Sequence, residues 1–231
     1  MDYQAKAQKI LRDCGAFLDG GHYVYHSGKH GDFYINKDSL YTHPRKLDDI
    51  CVMLSDTAVE AFGSDFDAVL APASGGIVLG NNVAYNLSPA HGKEINFAYA
   101  DRNPLDYRRR VIRRGYASVI RDRRILLVDD IVTTGATLIS MAQAATQLGA
   151  NIVGACVICD RGQIRTLKFQ PTENTDTPFE LKIAPLVELD VQTFPPDNCP
   201  LCKAGRPLDM LVGQGNRADI FQQAEKKETG Q

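Results

Sequence analysis

The segment RRILLVDDIVTTGATL, residues 123–138, passes from basic to apolar to doubly acidic to small and hydroxylic within sixteen positions. Ile125, Leu126, Leu127 and Val128 form a run of strand length that lacks polar alternation, so it reads as a strand buried on both faces. Such a strand belongs in a mostly parallel sheet covered by helices on either side. Asp129 and Asp130 then emerge at its carboxyl end, where sheets of this kind bind ligands.

The rest of the chain supports that placement. Apolar runs recur at FDAVLA (66–71), INFAYA (95–100), RILLVDD (124–130), NIVGACVI (151–158) and FELKIAPLVEL (179–189), each reading as a buried strand. Between the third and fourth, Leu138, Met141, Ala145 and Leu148 share one helical stripe, and Gly149 stands where a left-handed helix stop is expected. Residues 3–13 read as a helix, as do 44–61, where Pro44 suits a first turn and Leu47, Ile50, Leu54 and Val59 recur at helical intervals. The glycine- and histidine-rich GGHYVYHSGKHGDFYINKD (20–38) reads as turns and short strands. The expected fold is α/β: a mostly parallel twisted sheet flanked by helices, with a small N-terminal subdomain. The expected divisions are 1–40, a core over 41–190, and an extension over 191–231 that ends in the polar, disordered tail QQAEKKETGQ.

A chain of 231 residues can bury one good core, and apolar and charged contents of 44% and 23% are those of an ordinary globular protein. No apolar run approaches the roughly 18 residues of a membrane span, and the polar N-terminus is unlike a signal peptide, so no membrane partner and a cytoplasmic location are expected. Six cysteines in a chain of this length do not make a disulfide scaffold. A net charge of −2 exerts no pull toward nucleic acid, yet 101–124 holds nine arginines against three aspartates. That local excess suits an anionic visitor.

TTGAT, following the twin acids, is a tight turn whose glycine lets the backbone approach a ligand closely. The free amides and positive dipole end of the next helix make an anion site, to which Thr133, Thr134 and Thr137 add hydroxyls. Carboxylates beside a phosphate cradle suit a phosphorylated sugar. The plainer reading is a buried strand ending in a helix cap, with Asp130 or Thr137 satisfying loose amides. It covers any one of these residues, and their joint occurrence favours the ligand site.

The pattern VDD followed by TTGAT resembles the phosphoribosyl diphosphate (PRPP) binding motif of the type I phosphoribosyltransferases. The resemblance extends toward orotate phosphoribosyltransferase: GAFLDGGHYVYHSGKHGDFYINKD (15–38) is similar to that family's N-terminal hood, LAPASGGIVLG (70–80) to its pyrophosphate loop, and CDRG (159–162) to its base-binding arginine site. The resemblance implies that Asp129 and Asp130 hold the ribose hydroxyls. It assigns the 5-phosphate to Thr133, Thr134, Gly135, Ala136 and Thr137, which follow Ile131 and Val132 in the motif. By the same resemblance Ala73, Ser74, Gly75 and Gly76 wrap the pyrophosphate, in a loop where a strained peptide is common, and Arg102 joins the PRPP site. Thr133 and Arg161 would face the base, Arg161 pairing with its carboxylate in the bidentate geometry of guanidinium. Tyr34, Ile35 and His26 match hood positions. His26 and Gly75 stand where some members carry lysine, and Asp101 where an arginine often stands.

The implied reaction is displacement of pyrophosphate from PRPP by a base nitrogen, most closely that of orotate, with Mg2+ near Asp129 and Asp130. The stretch 103–115 occupies the place of the family's mobile catalytic loop and carries arginines where lysine is usual. Arg110, Arg113 and Arg114 are the candidate catalytic cations, with no choice among them. RRRVIRRGY also admits plainer readings as a solvated face, a nucleic-acid patch or an edge hairpin. The resemblance further implies a homodimer with shared sites. Transfer to another base, and a non-catalytic PRPP-binding regulator on the same fold, stay open.

Other signals are discounted. CVIC (156–159) lies in a strand, where residues three apart face opposite sides, so Cys156 and Cys159 read as core. CPLC (199–202) is a turn that could supply half a zinc site or a redox pair, but no second pair of ligands is evident, so no metal is expected there. GQGNRA (213–218) mimics a dinucleotide fingerprint without a preceding strand, and SGKH lacks the features of a P-loop. His22, His26, His30 and His43 read as hood or surface residues.

Overall fold

The computed structural model describes residues 2–25, 27–113, 115–171 and 178–213. In chain order the elements are α1 (Tyr3–Asp13), β1 (Phe17–Val24), β2 (His30–Ile35), α2 (Lys37–Tyr41), α3 (Pro44–Phe62), β3 (Ala68–Pro72), α4 (Gly76–His91), β4 (Asn96–Arg102), β5 (Arg110–Ile112), α5 (Ala117–Ile120), β6 (Arg124–Val132), α6 (Ala136–Thr146), β7 (Asn151–Asp160), β8 (Thr166–Phe169), β9 (Phe179–Glu188) and α7 (Pro200–Lys203). They group into two units, one of Met1–Ile10 with His43–Leu189, the other of Leu11–Thr42 with Asp190 onward. The tail 222–231 and most of GQGNRA lie outside the described residues.

The first unit holds a seven-stranded sheet in the order β5-β4-β3-β6-β7-β9-β8. Its five inner strands run parallel, and β5 and β8 pair antiparallel at the two edges. The sheet is therefore the mostly parallel α/β class read from the apolar runs. Every residue of β6 from Ile125 to Asp130 is buried, as the two-sided cover of a central parallel strand requires. Four-residue β8, alternating in exposure, and three-residue β5 escape sequence reading because edge strands this short carry no apolar run.

Helices seal the faces. On α6, Leu138, Met141 and Ala145 are buried as their spacing predicts, joined by Ala142. Full burial of a side chain such as Leu138 contributes roughly 2 kcal/mol. Leu148 lies beyond the end of the helix and is half-buried, and Gly149 adopts φ 81°. On α3, Leu47, Ile50 and Leu54 face the core, while Val59 is half-buried and Ala58 takes the inward position.

The second unit is built on the antiparallel β1–β2 hairpin, whose register runs Phe17↔Ile35 to Val24↔His30 around an irregularity between Asp19 and Tyr23. The segment after β9 joins it: His30 and Phe194 exchange two backbone hydrogen bonds of 2.8 Å, and Asp209 N–H donates to His22 O at 2.8 Å. Among the described residues no helix is long and apolar enough to cross a membrane.

Candidate active site

Parallel pairing of β3 with β6 runs as far as Leu70↔Leu127. Two residues further on, the strands reach Pro72 and Asp129, so the loops after them leave from one sheet edge. Asp129 and Asp130 are 6% and 5% exposed, and Asp130 N–H donates to Asp129 Oδ1 at 2.9 Å. Neighbours in a strand face opposite sides. In accord with this, Asp129 acts on Arg110 and Asp130 on Cys159.

Past Val132 the chain turns through Thr133 and Thr134, both exposed, to buried Gly135 at φ 76°. A side chain here would be strained in the left-handed region and would collide with Leu167 of β8. Gly135 opens α6 by accepting the Ile139 N–H at 2.9 Å. The N-cap position is held by Gly135, which has no side chain to close the helix start. The first-turn amides of the eleven-residue α6 lack an intrahelical acceptor and point out of its end.

Ala73, Ser74 and Gly75 connect β3 to Gly76 at the start of α4. Ala73 N–H donates to Ala100 O at 2.9 Å, and the Ala73–Ser74 peptide is cis. Arg110 joins this loop to α6: its Nη1 donates to Ala73 O at 2.8 Å and its backbone N–H to Ser140 Oγ at 2.7 Å. Burial lowers the pKa of this guanidinium, with Arg102 adding to the effect, while Asp129 and Asp101 oppose them. Arginine remains a cation at neutral pH even so.

The candidate loop arginines thus separate. Arg110 is half-buried on β5 against the loop after β3, Arg113 is exposed, and Arg114 lies outside the described residues. Arg102 is exposed at the end of β4, opposite Arg110 in the antiparallel register. The edge-hairpin reading therefore describes the arms of this segment, and 103–109 is its tip.

On the other flank of β6, Val132 pairs with Asp160 and accepts the Arg161 N–H at 2.9 Å. Asp160 is completely buried, and its two oxygens accept Gly162 N–H at 2.9 Å and Ile164 N–H at 2.7 Å. A side chain at Gly162 would collide with Thr133 O, so the turn around Arg161 sits directly on the Thr133 turn. Asp160 and Ser140, which brace the candidate site, do not stand out in the sequence as such. Asp160 stands inside the quoted CDRG, so a signal existed, whereas Ser140 is a helical serine with none.

Tyr34 and Ile35 belong to the second unit, on β2. Ile35 is buried opposite Phe17, and the Tyr34 ring lies 5.5 Å from that of Tyr23. His26 lies outside the described residues. Cys156 and Cys159 are buried strand residues whose thiol pKa values burial pushes far up, as core cysteines should be. One expectation is corrected. The CPLC turn does have a second pair of potential ligands, His22 and His30, brought to Cys199 and Cys202 by the β1–β2 hairpin and the backbone pairing at Phe194.

An open α/β sheet with acids, a phosphate-type helix start and a second loop at one strand edge defines a nucleotide- or sugar-phosphate-binding class of protein. Residues 36–178 match the phosphoribosyl transferase domain model, and the chain belongs to that family. It is 31% identical to the orotate phosphoribosyltransferase of Campylobacter curvus over 90% of this chain and 98% of that one. It is 29% identical to the Campylobacter jejuni orotate phosphoribosyltransferase over the same shares. The orotate phosphoribosyltransferase of Mycobacterium tuberculosis, solved in complex with PRPP, shares the fold at TM-score 0.55 and 16% identity, covering 82% of this chain and 97% of that one.

Proposed function

We propose that this chain is a magnesium-dependent orotate phosphoribosyltransferase, which moves the phosphoribosyl group of PRPP onto orotate and releases pyrophosphate. The observation that carries the reading is the tie made by Arg110 between the loop after β3 and helix α6. It puts the segments that the resemblance assigns to pyrophosphate and to the 5-phosphate on one sheet edge, with Asp129 beside them.

In this reading the α6 amides and the hydroxyls of Thr133, Thr134 and Thr137 bind the 5-phosphate, while Asp129 and Asp130 accept hydrogen bonds from the ribose hydroxyls. The orotate ring nitrogen forms a bond to C1 of the ribose as the bond from C1 to pyrophosphate breaks, and the nitrogen's proton leaves to solvent. Positive charge grows on the sugar ring in between, and the buried carboxylates at this strand end favour it. Arg161, on a turn fixed by Asp160, pairs with the orotate carboxylate. Arg110 and Arg102 supply cations toward the pyrophosphate. Asp129 and Asp130 are hard oxygen donors of the kind Mg2+ takes and would help hold the ion, which when bound would neutralise charge on the departing pyrophosphate.

The tip 103–109 acts as a lid. Leu105 and Tyr107, 95% and 71% exposed there, are apolar surface that closure would cover and so would help exclude water. The enzyme works as a cytoplasmic homodimer in which the lid of one subunit serves the site of the other. Mixing Asp129→Asn/Asp130→Asn subunits with subunits that carry Arg108→Ala/Arg109→Ala in the lid tip restores part of the activity if sites are shared. The test of the reaction is turnover: PRPP, Mg2+ and each candidate base are supplied, and orotate absorbance and pyrophosphate release are followed. Pyrophosphate released with orotate alone is the expected result. Release with a purine instead, or tight PRPP binding with none released, refutes the proposal.

A further inference from the structure

Four side chains with no part in that chemistry converge in the second unit. His22 comes from β1, His30 from the first position of β2, and Cys199 and Cys202 from the turn that opens α7. Their ligand atoms all lie within 4.8 Å of one another. His22 Nε2 is 3.0 Å from His30 Nδ1, 3.6 Å from Cys199 Sγ and 3.6 Å from Cys202 Sγ, and Cys202 Sγ is 3.3 Å from His30 Nδ1.

These separations have a simple interpretation. With Zn–N near about 2.0 Å and Zn–S near about 2.3 Å, a tetrahedron puts its nitrogens roughly 3.3 Å apart and each nitrogen roughly 3.5 Å from a sulfur. The observed edges fall around those lengths. A plain hydrogen bond between the two imidazoles would account for the first distance alone. It gives no reason for two sulfurs to gather within 4.8 Å of the same pair of nitrogens.

The surroundings favour a metal as well. His22 Nδ1 lies 2.8 Å from Arg206 O, and only a protonated Nδ1 can make that hydrogen bond. The ring is thereby held with the Nε2 lone pair facing the cluster, as a carbonyl partner commonly does for a ligating histidine. His22, His30 and Cys199 are buried, and Cys199 and Cys202 are free thiols. Two thiolates balance a divalent cation, so the filled site is neutral. Four protein ligands leave no open position, which marks a structural rather than a catalytic site.

We propose that His22, His30, Cys199 and Cys202 bind one structural Zn2+, which pins the segment after β9 to the β1–β2 hairpin. The site stands apart from the proposed reaction and does not rest on it. Metal ligation also explains why CPLC, a poor segment for burial on its own, is held against two histidines 169 or more positions away in sequence.

The test is metal content of the full chain, purified without chelators. The expected result is about one zinc per chain by elemental analysis, falling at least tenfold in Cys199→Ser/Cys202→Ser. Because that variant can misfold, the unmodified chain is also stripped and reloaded with Co2+. The site predicts the visible bands of tetrahedral cobalt together with thiolate-to-cobalt charge transfer in the near ultraviolet. Zinc retained in full by the double variant, iron in place of zinc, a Cys199–Cys202 disulfide in the unreduced protein, or cobalt spectra without the charge-transfer band would each overturn the proposal.

Discussion

Replacing Asp160 gives the sharpest separation between the two substrates. Its carboxylate is fully buried and receives two backbone N–H groups, from Gly162 and Ile164, which hold the turn that presents Arg161. Hydrogen bonds to a charged group are worth about 1.5–3 kcal/mol each, so Asp160→Ala forfeits roughly 3–6 kcal/mol and leaves two amides without an acceptor. Asp160→Asn keeps one oxygen and sets its NH2 against the other amide, for a loss of roughly half that. Part of the loss loosens the turn locally, and each 1.4 kcal/mol of misplacement costs about tenfold in affinity for whatever Arg161 binds. We therefore expect Asp160→Asn to raise the KM for orotate by on the order of tenfold and to change the KM for PRPP less than about twofold. Steady-state kinetics with each substrate varied in turn, alongside urea unfolding of both variants, gives the measurement. Asp160 is a positioning residue, so a parallel rise in both KM values, or a stable Asn variant with unchanged orotate KM, refutes the reasoning.

Gly135→Ala should lower stability by roughly 2–4 kcal/mol in urea melts, combining left-handed strain with the collision against Leu167. An unchanged midpoint would mean that the turn relaxes freely. Arg110→Ala should lower kcat by at least about a hundredfold, and Arg110→Lys should recover little of it, because a lysine cannot keep the bond to Ala73 O while offering charge to pyrophosphate. Full recovery by Lys would argue for a simple charge requirement. The carboxyl of Asp67 is held below its usual range chiefly by the Arg124 backbone N–H, with burial opposing it and the Lys93 ammonium adding to the depression. A depressed folded-state value contributes stability that is present above about pH 4 and is lost as pH falls through it, so Asp67→Asn should flatten the acid limb of a stability–pH profile. Parallel acid limbs for the two proteins would contradict this. Chelation with the thiol-bound metal released should lower the melting temperature by on the order of 10 °C, restored by added Zn2+.

Much of this molecule is local information. The apolar runs at 66–71, 95–100, 124–130, 151–158 and 179–189 mark all five parallel strands, because burial on both faces removes the polar residues that would blur them. The helices over 3–13 and 44–61 are marked by their own 3.6-residue period, and the VDD–TTGAT segment by the close spacing of its acids, hydroxyls and glycine. Edge strands β5 and β8 were hidden, since pairing with a neighbour rather than any pattern of their own makes them strands. Choosing Arg110 from an arginine run needed the sheet, which turns that side chain toward Ala73 and leaves Arg113 in solvent. The histidine–cysteine cluster needed it most. Seven residues separate His22 from His30 and two separate Cys199 from Cys202, spacings that say nothing about each other until the hairpin and the His30–Phe194 pairing bring them within bonding reach of one point. Periodicity and short motifs record what a residue does with its near neighbours in the chain. Convergence of distant segments is decided by packing, where burial and backbone pairing select one arrangement out of many that the same local patterns allow.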